Sequence, residues 1–130
     1  MYTKDFDLWH GIKKNIDKEA GRLFYKEREV WWCSLGVNVG YELDGKGENY
    51  NRPVLILKGF SREVCLSIPL TTKLKTGKYY HEVSLGDDVV RKAVLSQLRL
   101  LDTKRFLQKI GTVENNEFLK IKQAVIALLQ

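Results

Sequence analysis

The stretch that most constrains this chain is Arg52 to Thr72, RPVLILKGFSREVCLSIPLTT. Two apolar runs, Val54 to Leu57 and Val64 to Leu70, flank a polar centre at Lys58 to Glu63 that holds Gly59 and Ser61. Aliphatic runs of this length around a short polar centre predict a β-hairpin. A turn near Ser61 makes facing positions add to about 122, which sets Arg52 opposite Leu70 and Thr71. The only two prolines, Pro53 and Pro69, fall at the same end of that ladder. Proline lacks an N–H to give, so it is tolerated at strand ends. One end of the hairpin therefore presents an arginine and two hydroxyls, Thr71 and Thr72, on a stiff scaffold. That set suits a phosphate or an oxyanion.

Around this hairpin the chain reads as short strands between end helices. Residues 3–27 place Phe6, Trp9, Ile12, Ile16, Ala20, Leu23 and Phe24 at three- and four-residue steps, which predicts an amphipathic helix capped by Thr3. Val30 to Leu35 (VWWCSL) predicts a strand. Gly36 to Asn51 is a polar loop with four glycines. Tyr79 to Leu85 and Val89 to Leu101 each predict a further strand, the second carrying Gln97 and Arg99. Asp102 to Gln108 reads as a short link and Lys109 to Val113 as a brief strand. Residues 115–129 close the chain as a helix, with Phe118, Ile121, Val125, Leu128 and Leu129 on one face and a cap at Glu114 or Asn115. The pattern predicts a small, partly closed β-barrel with helices on its outside.

Several function classes are excluded at this level. With 130 residues the chain is read as one domain. No apolar run approaches the roughly 20 residues that cross a membrane, and the mixed charges of the first 30 residues make no signal peptide. Cys33 and Cys65 form no CxxC, and with His10 and His81 they make no metal set. Both cysteines are read as reduced and buried, which fits a cytoplasmic protein. Gly40 to Lys46 matches GxxxxGK, but Gly47 stands where a phosphate-binding loop needs Ser or Thr, and Arg52-Pro53 and a strand follow in place of a helix. Nucleoside triphosphate binding is set aside. The net charge of +6 is uneven: residues 73–111 hold nine basic and four acidic groups. A polyanion partner is the functional reading of that excess.

In order, the segments VWWCSLG, VGYE, RPVLIL, IPLTT, SQLRLLDTKR and KIGTV, followed by a helix, resemble the MazF/PemK family of toxin endoribonucleases from bacterial toxin–antitoxin pairs. The resemblance covers about residues 29–130 and leaves residues 1–28 as a helical extension. It implies an α+β fold built on an SH3-like barrel, a homodimer, and cofactor-free, metal-independent cleavage of single-stranded RNA. It also implies inhibition by a small antitoxin. By position it makes Arg52, Thr71 and Glu42 the catalytic candidates. Tyr41, Thr72, Lys73, Lys75, Gln97 and Arg99 become the RNA-binding candidates. Ser96 stands where some members carry an acidic residue, and the loop between Glu42 and Arg52 is longer than in the shortest members.

Such chemistry needs few groups. RNA carries its own nucleophile, the 2′-OH, so a protein must stabilise charge on the phosphorane and move two protons. Arg52 offers a planar bidentate donor, Thr71 a hydroxyl and Glu42 a base. Arginine's pKa above about 12 makes it a clamp, not a proton carrier. Tyr41, Tyr50, Tyr79 and Tyr80 are available to stack on unpaired bases. Two other classes fit the same residues: a non-catalytic toxin of this fold that binds a protein target, as CcdB-type poisons do, and a plain nucleic-acid-binding barrel.

Overall fold

The computed structural model describes residues 12–17, 22–35 and 51–130. Nine strands and one α-helix follow in order: β1 (Ile12–Asp17), β2 (Arg22–Leu23), β3 (Glu29–Ser34), β4 (Asn51–Gly59), β5 (Val64–Thr71), β6 (Tyr80–Val83), β7 (Arg91–Val94), β8 (Arg99–Asp102), β9 (Phe106–Thr112) and α1 (Asn115–Ala127). Among the described residues, strands β1 and β2 pair only with each other. The remaining seven form an antiparallel sheet in the order β6-β7-β5-β4-β3-β9, with β8 also on β5.

The hairpin is present, with a register one step from the expected one at its Val54–Pro69 end. Val54 pairs with Pro69 and Leu55 with Ile68, while Gly59 pairs with Cys65 across a bulge between Ile56 and Lys58. Ser61 builds the turn: its Oγ accepts from the Glu63 and Val64 amides at 3.1 and 3.2 Å. The Tyr25 hydroxyl reaches back to donate to the Ser61 carbonyl at 2.5 Å. Tyr25 lies so close to Gly59 that a Cβ there would sit 2.7 Å from the tyrosine oxygen, so this crossing admits only glycine without a shift of the ring.

Strand β4 runs Val54, Leu55, Ile56 and Leu57 without a polar residue, and all four are buried. That pattern belongs to a strand covered on both faces. On one face Leu55 and Leu57 join Val30, Ile68, Leu70 and Leu95 beneath Phe118, Ile121 and Val125 of α1. On the other, Val54 and Ile56 join Trp31, Cys33, Cys65, Leu101 and Phe106, with Leu23 covering them. Glu114 caps α1, its carboxylate accepting from the Glu117 amide at 3.2 Å.

Four expectations need correction. The N-terminal helix over 3–27 is contradicted at residues 12–17 and 22–23, which are strands; residues 1–11 and 18–21 lie outside the described residues. Ile12 and Ile16, four apart, satisfy a period of two as well as one of 3.6, and Gly11 and Gly21 each disfavour a helix by about 1 kcal/mol. The single strand over Val89–Leu101 is two strands separated by a 3-10 turn, Leu95–Gln97. The last expected strand is longer, starting at Phe106, because only Thr103–Arg105 forms the link. Finally, the sheet does not close: β6 and β9 end it and are not paired with each other among the described residues. The helix α1 supplies the apolar cover that a closed barrel would have drawn from its own strands.

Cys33 and Cys65 are free thiols, both fully buried. Burial pushes Cys33 well above the ordinary thiol range and Cys65 up to about 12. At pH 8 the folded protein is expected to leave a thiol reagent such as dithionitrobenzoate unreacted, with two thiols released on denaturation. Prompt reaction of either in the native state would contradict this burial. An unfolded chain ionises its thiols near about 8.5, so stability is expected to fall as pH rises above that value.

Candidate active site

The N-terminal end of β4, the C-terminal end of β5 and the start of β7 lie side by side, because β5 pairs with β4 on one edge and with β7 on the other. They enclose a cavity of about 250 Å³ lined by Trp32, Asn51, Arg52, Pro53, Leu70, Thr71, Thr72, Val89 and Arg91. Arg52 and Thr71 are each only 5 % exposed. The Arg52 Nη1 donates to the Leu70 carbonyl across the hairpin at 3.0 Å, which fixes the guanidinium at the cavity wall. The Thr71 Oγ1 accepts from the Lys73 amide at 3.2 Å. That bond uses a lone pair and leaves the hydroxyl proton without an acceptor among the described residues. A guanidinium and a hydroxyl donor thus share one small cavity with apolar walls, where charge interactions are stronger than in water.

Arg91 was not anticipated. It is buried to 8 % exposure in the same wall. Its two terminal nitrogens donate to the two carboxylate oxygens of Asp87, each at 3.0 Å. The guanidinium beside it holds the Asp87 carboxyl below the usual carboxylate range. The signal available in sequence was slight: an acidic turn, Gly86-Asp87-Asp88, with a basic residue four positions after Asp87. Asn51 is a second unanticipated member of the wall. Its Oδ1 is buried without a hydrogen-bond partner among the described residues.

The other candidates divide into three groups. Thr72 lines the cavity, and Lys73 and Lys75 follow in the exposed loop between β5 and β6. Gln97 and Arg99 lie elsewhere, lining a separate cavity of about 490 Å³ with Ser96, Leu98 and Leu100. Arg99 pairs with Ser67, four residues up β5 from Thr71, which is about 13 Å at strand rise. Glu42, Tyr41 and Tyr50, together with the GxxxxGK stretch, fall outside the described residues. Tyr79 is exposed and Tyr80 half-buried at the start of β6. No group of three or more His, Cys, Asp or Glu side chains is placed to hold a metal among the described residues, and no described helix is long and apolar enough to cross a membrane.

Solved toxins share this architecture. An endoribonuclease from a Mycobacterial species, in complex with its cognate antitoxin, superposes with a TM-score of 0.61 at 18% identity, covering 82% of this chain and 95% of that one. MazF from Deinococcus radiodurans superposes with a TM-score of 0.66 at 16% identity, covering 81% and 96%. The MazE–MazF complex from the same organism gives 0.61 at 15% identity, covering 81% and 94%. No match was found among curated proteins. The fold is therefore the one these solved proteins share. The chain itself belongs to the family described as PemK-like, MazF-like toxins of type II toxin–antitoxin systems, whose model matches residues 26–129.

Proposed function

We propose that this toxin is a metal-independent, sequence-selective endoribonuclease acting on single-stranded RNA. The observation that carries the reading is the meeting of buried Arg52 and Thr71 in one cavity, on facing strands at one end of the hairpin. In the proposed reaction the 2′-OH of a bound nucleotide attacks its own 3′ phosphate. The new O2′–P bond forms as the P–O5′ bond breaks, leaving a 2′,3′-cyclic phosphate and a 5′-OH. Arg52 clamps the non-bridging oxygens, and charge-assisted bonds of that kind strengthen as negative charge builds on the phosphorane. Thr71 donates its hydroxyl to the same oxygens. Glu42 is the proposed base that takes the 2′-OH proton and returns one to the O5′ leaving group.

Lys73 and Lys75 form a cationic rim, with the Thr72 hydroxyl beside it, along which the RNA backbone runs, and Tyr41 stacks on a base. Arg99, whose β5 partner Ser67 lies about 13 Å along the strand from Thr71, and Gln97 with it hold a more distant part of the RNA or a second subunit of a homodimer. The antitoxin partner is an acidic protein that covers this rim in a cytoplasmic complex. The same-fold toxins solved in complex with antitoxin support that pairing.

The test is cleavage of a long single-stranded RNA by pure protein in excess EDTA, beside a wholly 2′-deoxy substrate. Discrete RNA fragments ending in cyclic phosphate, with the deoxy strand intact, are expected. No cutting of varied RNAs by folded, antitoxin-free protein would overturn the enzymatic reading and favour a toxin that acts by binding.

A further inference from the structure

Arg91 has no part in the reaction as drawn, yet it is buried in the cavity that holds Arg52 and Thr71. We propose that Arg91, steered by Asp87, binds the phosphate adjacent to the scissile one, so that the cavity grips two consecutive phosphates of the RNA. This rests on the ribonuclease reading for the identity of the strand, and on geometry for the contact.

The geometry is a row across three strands. Arg52 stands on β4, Thr71 on β5, and Arg91 on β7 one position beyond the Thr71–Lys92 pair. Two strand spacings separate the backbones of the two arginines, roughly 10 Å. Whatever their backbone spacing, both arginines line the one cavity with Thr71, and two cations with a hydroxyl donor in one cavity can hold two neighbouring anions. Asp87 occupies both terminal nitrogens of Arg91 through one N–H each. A guanidinium has five N–H donors, so three remain, and these have no partner among the described residues. Held by two bonds, the plane of Arg91 is fixed before any ligand arrives, and less ordering entropy is lost on binding. Trp32, Pro53 and Val89 supply apolar wall beside it.

The competing account is that Asp87 and Arg91 merely clip the turn between β6 and β7. That account predicts a change in stability and none in RNA binding. The experiment uses the full chain as wild type, Arg91→Gln, Arg91→Lys and Asp87→Asn, each checked by thermal unfolding. The probe is a fluorescent 2′-O-methyl RNA 20-mer, which cannot be cut. It carries the cleaved sequence, or a mixed sequence if none is found. Its Kd is read by anisotropy across a salt series, with kcat and KM measured on cleavable RNA.

Arg91→Gln is expected to weaken binding about 10- to 100-fold, the range for a charge-assisted hydrogen bond. It should also lower the salt slope by about 0.7, raising KM with little change in kcat. Arg91→Lys should recover the slope and part of the affinity. Asp87→Asn should weaken affinity less and leave the slope intact, as expected of a positioning residue. A probe with a neutral methylphosphonate at the adjacent linkage should bind wild type and Arg91→Gln equally.

A shifted melting temperature with unchanged Kd would overturn the proposal. So would a fall in kcat at unchanged Kd, which would place Arg91 on the scissile phosphate. If wild type binds RNA but never cuts it, the ribonuclease reading fails while the binding arm still decides the role of Arg91. Failure of wild type to bind the probe while it still cuts cleavable RNA would overturn the Arg91 proposal alone.

Discussion

Replacing Arg52 by alanine is expected to lower the RNA cleavage rate by about 10²- to 10³-fold, the usual loss when one donor to a developing oxyanion is removed from a closed site. The loss should appear mainly in kcat, because the bond to a non-bridging oxygen strengthens as the phosphorane forms. Arg52→Lys should fall between the two, since an ammonium keeps the charge but not the bidentate plane. The residue is buried and its Nη1 holds the Leu70 carbonyl, so Arg52→Ala also strands a backbone acceptor. Denaturant curves run beside the kinetics separate that from chemistry. A folded Arg52→Ala protein that cuts within threefold of wild type would remove Arg52 from the proposed mechanism.

The largest expected loss of stability is at Trp31. It is 1 % exposed and stacks on Phe106 at 5.1 Å between ring centroids. Its indole nitrogen donates to the Glu29 Oε1 at 2.9 Å. The same oxygen accepts from the Lys26 amide, and Oε2 lies 3.2 Å from the Lys109 ammonium. Trp31→Ala is expected to cost about 3–5 kcal/mol for the cavity it opens, a large share of the 5–15 kcal/mol typical of a small domain. Trp31→Phe keeps an aromatic ring but loses one hydrogen bond and part of the indole's volume, so a smaller loss of about 1–3 kcal/mol is expected. Urea unfolding midpoints measure both, and a Trp31→Ala loss under about 1 kcal/mol would show that this face of the sheet carries little of the stability.

What the sequence disclosed and what it hid differ for physical reasons. The hairpin was legible because its apolar runs and turn residues lie within twenty positions of each other. Even so, the ladder leaves the turn two steps from the expected register, and the bulge beside Leu57 brings the Val54–Pro69 end back to within one. Arg52 and Thr71 still met, since both stand at the same end of the ladder. The helix expected over 3–27 illustrates a degenerate signal: Ile12 and Ile16 share a face in either periodicity. The break at Leu95–Gln97 was hidden because the 3-10 turn buries Leu95 as a strand would. Arg91 was invisible for another reason. Its importance comes from β7 lying against β5, a pairing between segments more than twenty residues apart that no local pattern specifies.

The ladder between β3 and β9 has a consequence for how the toxin comes into being. It joins Glu29 to Thr112 and Val30 to Gly111, pairs about eighty positions apart, whereas the strands bearing Arg52, Thr71 and Arg91 lie within 51–94. Loop-closure entropy must be overcome before contacts of such separation are rewarded, so they set the pace of folding. On a ribosome the strands of the cavity that holds Arg52, Thr71 and Arg91 emerge well before β9, and before the Phe118, Ile121 and Val125 that cover them. The nascent chain therefore lacks a complete core until α1 is made, and assembly of the cavity that holds Arg52 and Thr71 is deferred until then.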